Sequence, residues 1–121
     1  MHIIPLALAV IVALEHYYIL YLEMFQTTSP TAQRSFGLDK EFLDDPRVQT
    51  LFKNQGLYNG FLATGILWGA FFAANSWSVV TFFILCVVVA AVYGGLTSSR
   101  SILIKQGLPA IITFITLLIF K

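Results

Sequence analysis

The sequence predicts an all-α integral membrane protein, a bundle of four spanning helices that forms one domain over residues 1–121. Three observations lead there. Hydrophobic residues make up 58% of the chain and charged residues only 11%, where a soluble domain carries about 25% charged residues. A chain of this length has too little interior to hide so much apolar surface from water. The mean hydropathy of +0.82 is concentrated in segments close to the ~20 residues that a helix needs to cross the hydrocarbon.

The first span is predicted over 3–25. Pro5 fits its first turn, where a missing amide donor costs nothing. Pro30 is expected to end the helical stretch, because the residue before a proline avoids helical angles. No Lys or Arg precedes the run, and it exceeds the apolar core of about 7–15 residues in a signal peptide, so it is expected to be retained.

Residues 26–53 are the long polar connection. Within it Asp45-Pro46 is a helix start, with Asp as N-cap and Pro at the first helical position. No proline follows until after Asn75, a stretch of about 45 Å at ~1.5 Å per residue. The second helix should therefore project its first turns into water and span over 54–75. NSWS at 75–78 reads as a turn in which Ser76 or Ser78 caps the third span, 79–97. SSRS at 98–101 reads as the next turn, and the fourth span covers 102–120. Pro109 removes a hydrogen bond inside that helix and is expected to bend it.

Orientation follows from the basic residues. Arg34, Lys40, Arg47, Lys53, Arg100 and Lys105 flank the first and third connections, against Lys121 alone on the other side. The positive-inside rule puts those connections in the cytoplasm and both termini outside, in a multi-pass protein of the cell membrane. The formal charge of +1 comes with no clustered basic face, which argues against nucleic acid as a partner. Cys86 is the single cysteine and lies in the apolar run FFILCVVVAA. It cannot form an internal disulfide and reads as a small hydrophobe.

On these spans the strong polar groups gather at the cytoplasmic end. Glu15, His16 and Glu23 lie on the first helix, Asn54, Gln55, Tyr58 and Asn59 on the second, Tyr93 on the third and Gln106 on the fourth. Glu15 and His16 sit roughly 10–12 Å deeper than Glu23 at ~1.5 Å per residue. His16 and Glu23 share one helical face, and so do Gln55, Tyr58 and Asn59. Ionisable groups inside a membrane normally face the bundle interior, find partners there and mark function. The nine residues are therefore the candidate ligand-binding set, the floor and walls of a cavity open to the cytoplasm. Asn59 and Glu23 are expected to meet across the bundle, with Asn54 and Gln106 as further donors to the carboxylate.

Plainer readings stand beside this one. The amides can serve as interhelical glue, and Tyr17, Tyr18, Tyr21, Trp68 and Trp77 as an aromatic belt. Glu15, His16 and Glu23 lack a closed metal-binding spacing, so no metal is assigned and the cofactor is left open. Gly56, Gly60 and Thr64, and likewise Gly65, Gly69 and Ala73, form two stripes of small residues on one helix. One stripe serves packing inside the bundle; the second serves either the same purpose or a subunit interface, which suits a homodimer or homotrimer.

The sequence thus leads to a membrane protein that binds a small polar or amphipathic ligand, a lipid among the possibilities. Two alternatives are a proton-coupled transporter working through Glu15 and His16, and an accessory subunit whose polar groups only pack. Whether it is an enzyme is left open.

LEMF at 22–25, NQGLYNGFLA at 54–63, VYGG at 92–95 and QGLPA at 106–110 resemble the small bacterial four-span membrane proteins grouped as domain of unknown function thirteen-oh-four. That resemblance covers nearly the whole chain and implies the four-span fold, but no activity. The architecture also resembles the membrane-associated proteins of eicosanoid and glutathione metabolism. These are four-span trimers whose second helix carries an Asn-x-x-Glu pattern near arginines for glutathione. By that resemblance Gln55, Tyr58 and Asn59 occupy the place of the glutathione site in a transferase-like membrane enzyme. Tyr58 replaces the acidic residue, and only Arg47 and Lys53 stand near.

Overall fold

The computed structural model describes residues 1–98 and 100–121. Among them the regular structure is helical throughout: α1 Ile3–Phe25, α2 Pro30–Phe36, α3 Lys40–Asp44, α4 Pro46–Phe71, α5 Ser76–Thr97, α6 Arg100–Ile102, a π-helical segment Leu103–Gly107, and α7 Leu108–Ile119. Three stretches are long and apolar enough to cross a membrane: Ile3–Phe25, Ser76–Thr97 and Arg100–Ile119. At 26 residues α4 is the longest helix, yet its amides, glycines and threonines keep it outside that group. The chain divides into two compact units, one of Met1–Glu15 with Leu62–Lys121 and one of His16–Phe61.

The ends of α1 fall where the sequence places them, but its neighbourhood differs. Pro30 does not terminate α1; it opens α2. Ser29 caps that helix by accepting from the Ala32 amide at 3.1 Å, and proline at the first position has no donor to waste. Gly37 closes α2 with φ 67°, a left-handed geometry that a Cβ penalises. Asp39 caps α3 through the Phe42 amide at 2.7 Å. The 26–53 connection is therefore a structured segment, and Phe36 packs on Phe52 with ring centroids 5.1 Å apart.

Asp45-Pro46 starts α4 as expected. The Asp45 carboxylate accepts from the Arg47 amide at 2.9 Å and pairs with its guanidinium at 2.8 Å. That guanidinium holds the Asp45 carboxyl below the usual aspartate range. The C-terminal end of α4 comes at Phe71 rather than residue 75, and Asn75, not Ser76 or Ser78, caps α5. An Asn side chain reaches the amide three residues on and takes the role; here it accepts from Ser78 at 3.2 Å. The third span so begins at Ser76 instead of 79. Ser99 of the expected 98–101 turn lies outside the described residues, while Arg100 and Ser101 are already helical. Pro109 acts through the segment before it: the ladder widens so that the Leu108 amide donates to the Leu103 carbonyl, five residues back. That spacing makes room for a ring that would crowd the carbonyl four residues earlier.

In the larger unit the buried sides of α5 and α7 are Val80, Ile84, Val87 and Ala91, and Ala110, Thr113 and Leu117. Gly65 and Gly69 of α4 receive α5: a Cβ on Gly65 would lie 2.5 Å from the Phe83 ring, and one on Gly69 2.7 Å from Val79. At one end of this unit His2 stacks on Phe120 with centroids 4.2 Å apart. The Trp77 indole there donates to the Leu117 carbonyl at 2.7 Å, and the Lys121 ammonium stands 4.6 Å above the same indole. The starts of α1 and α5 and the end of α7 thus meet. In the smaller unit Gly56 and Gly60 receive α1: a Cβ on Gly60 would lie 2.5 Å from Leu20, and one on Gly56 2.7 Å from Met24. Both glycine stripes are filled within the chain, so neither needs a second subunit to explain it.

Candidate functional site

Every third or fourth residue of α1 is buried: Pro5, Ala9, Val12, His16, Ile19 and Glu23. That spacing is the seam of a helix packed along its length. The seam is apolar through its first half and then takes up His16 and Glu23, each 2% exposed. Burying a carboxyl is costly without partners. Glu23 has one across the unit: the Asn59 side-chain amide donates to its Oε1 at 2.6 Å. Gly56, one turn before Asn59, permits this approach, since a Cβ there would lie 3.1 Å from the Cβ of Glu23. On the other side of Glu23 the Thr27 hydroxyl donates to the Glu23 carbonyl at 2.8 Å and closes the end of α1.

The expected meeting of Glu23 and Asn59 is therefore present. Within the same unit, Asn54, Gln55 and Tyr58 turn outward. Asn54 was expected to donate to Glu23; its side chain is exposed and donates to the Thr50 carbonyl of its own helix at 3.0 Å. Gln55 and Tyr58 are exposed on α4, and Tyr93 is exposed on α5 beside Cys86 and Val89. Gln106 sits half-buried in the π-helical segment, in the larger unit. Glu15 also belongs to the larger unit; it is half-buried, and its Oε1 is shut off from the surface with no hydrogen-bond partner. Among the described residues Lys40 pairs with Asp44 and Arg47 with Asp45, and neither Glu15 nor Glu23 pairs with a Lys or Arg. Thr27 escaped the sequence reading, although its place four residues after Glu23 is the signal for a hydroxyl that bonds back to a carbonyl.

Chemically, the pair offers a carboxylate with further acceptor capacity and an amide whose carbonyl oxygen stays available as an acceptor. The group suits recognition by hydrogen bonding. Among the described residues, no three His, Cys, Asp or Glu side chains are grouped to hold a metal ion.

The chain is similar to the uncharacterized protein YpaA of Lactococcus lactis subsp. lactis (strain IL1403), with 42% identity over 116 residues, 96% of this chain and 98% of the relative. No solved structure matches. The family described as "Protein of unknown function (DUF1304)" matches residues 10–118, and the chain belongs to it.

Proposed function

We propose that the protein is a four-crossing membrane bundle that binds a small polar or amphipathic ligand at a cytoplasm-facing site centred on Glu23 and Asn59. The observation that carries this reading is the 2.6 Å contact between an almost fully buried carboxyl and an amide on another helix. An apolar pair would pack as well without the desolvation cost, and intramembrane ionisable groups are functional by default.

The fourth crossing is α4. Three crossings would leave the termini on opposite faces, whereas His2 stacks on Phe120. Termini that meet require an even number of crossings, and α4, about 39 Å long at ~1.5 Å per residue, is the helix that can supply the missing one. The Lys and Arg distribution then favours both termini outside and the Glu23 end toward the cytoplasm.

The test is native mass spectrometry of the protein taken gently from its own membranes. A small-molecule adduct should accompany the wild type and be lost from Glu23→Gln and Asn59→Leu. An adduct retained by both variants, or absent from all three proteins, would contradict the reading. A proton relay is a second reading, favoured by the partnerless Oε1 of Glu15. It requires that Glu15→Gln abolish proton-coupled flux in proteoliposomes, and undiminished flux would remove it.

A further inference from the structure

The carboxyl of Glu23 is only half satisfied. The Asn59 amide donates to Oε1 at 2.6 Å, and no other hydrogen bond reaches the carboxyl among the described residues. Oε2 therefore has no donor, and it is not sealed from the surface as Oε1 of Glu15 is. The Oδ1 oxygen of Asn59 likewise accepts no bond among the described residues. Two acceptors, on side chains that already touch, stand open.

Among the described residues nothing in the same unit balances the carboxylate. Its four Lys and Arg side chains are Arg34, Lys40, Arg47 and Lys53. Lys40 pairs with Asp44 and Arg47 with Asp45. Arg34 turns to the Thr31 hydroxyl, and Lys53 is exposed. A carboxylate only 2% exposed is costly to hold without a cation, so positive charge is what a ligand has to bring.

We propose that the group bound there is a primary ammonium, whose N–H donors divide between Oε2 of Glu23 and Oδ1 of Asn59. This rests on the reading of the pair as a ligand site and names the chemical class. Three other cations fit less well. A guanidinium prefers both oxygens of a carboxylate, and Asn59 already occupies Oε1. A quaternary ammonium has no N–H to give and is held by aromatic faces. A bare metal ion calls for several ligands, and among the described residues no three acidic, His or Cys side chains are grouped to hold one. A primary ammonium carries its charge and three donors on one compact head. Two sources offer it: an aminophospholipid headgroup at this end of the span, and a free amine from the aqueous side.

The test compares N-methylation by native mass spectrometry of the protein in detergent micelles. Phosphatidylethanolamine against phosphatidylcholine probes the lipid source, and ethanolamine against choline the free one. Within each couple only the methyl groups on nitrogen differ. In at least one couple the wild type should hold the unmethylated member several-fold better, and the couple that shows it names the source. Glu23→Gln keeps an acceptor for Asn59 but no charge, and should lose the preference. Glu41→Gln, which removes an exposed carboxylate of the same unit, should keep it. Equal binding within both couples by the wild type, or a preference that survives Glu23→Gln, would overturn the inference. A native adduct lost from Glu23→Gln with no such preference would leave the ligand site standing and remove only the ammonium; no adduct and no preference would remove both.

Discussion

Glu23 and Asn59 share a depth in the sequence: Glu23 lies near the end of the first expected span and Asn59 about one turn into the second. A carboxyl needs a donor, and an amide at equal height supplies it. Asn54 has the same chemistry about 7.5 Å along the same helix, but its side chain bonds to the Thr50 carbonyl. Depth can be read from sequence; which way round a helix a side chain faces is settled by packing, here by Gly56 and Gly60 against α1. Truncating Asn59 should orphan a buried acceptor, so Asn59→Leu is expected to cost about 1–3 kcal/mol in detergent unfolding. Combined with Glu23→Gln it should couple by about 0.5–3 kcal/mol; strict additivity would mean that the contact carries no energy. At Asp45 the expectation concerns pH. Its carboxyl is held low by Arg47, so this contribution to folding is present above the unfolded-state pKa and disappears as pH falls through the lowered folded one. Arg47→Ala should move the Asp45 midpoint, followed by NMR, back up toward that of a free aspartate.

Among the elements, α1 and the start of α4 were legible because each rests on a local rule: apolar length for one, an Asp-Pro cap for the other. Helices α2 and α3 were not, since seven and five residues carry too little periodicity to stand out from a polar connection. Their caps, Ser29-Pro30 and Asp39, were visible signals that the terminating role given to Pro30 obscured. Pro109 was foreseen as a disturbance, but the widened ladder of Leu103–Gly107 depends on packing that no local pattern reports. The glycines of α4 set its closeness to its neighbours. Gly60→Ile must displace Leu20 and should lower stability by about 1–3 kcal/mol, the cost of overpacking. Gly37→Ala meets no atoms within 4 Å, so its penalty is conformational alone, about 1–2 kcal/mol for a left-handed residue. A Gly37→Ala protein as stable as the wild type in thermal melts would show that α2 does not end as described.

For the molecule as a whole, three helices are long and apolar enough to cross a membrane, and the proposal of a fourth crossing by α4 rests on the stack of His2 on Phe120. Helix α4 carries Asn59, two glycine seams and exposed amides, and each lowers its hydropathy. The fold class was therefore legible from composition, whereas the site was legible only as a depth at which polar residues collect. The proposed ligand site depends on α4 crossing and on the Glu23 end facing inward. Impermeant-thiol labelling of intact cells tests both at once, using Gly37→Cys and Asn75→Cys in a Cys86→Ala background. The account predicts that Asn75→Cys labels from outside and that Gly37→Cys labels only after the cells are opened. Labelling of Gly37→Cys in intact cells, or equal protection of both positions, would contradict it.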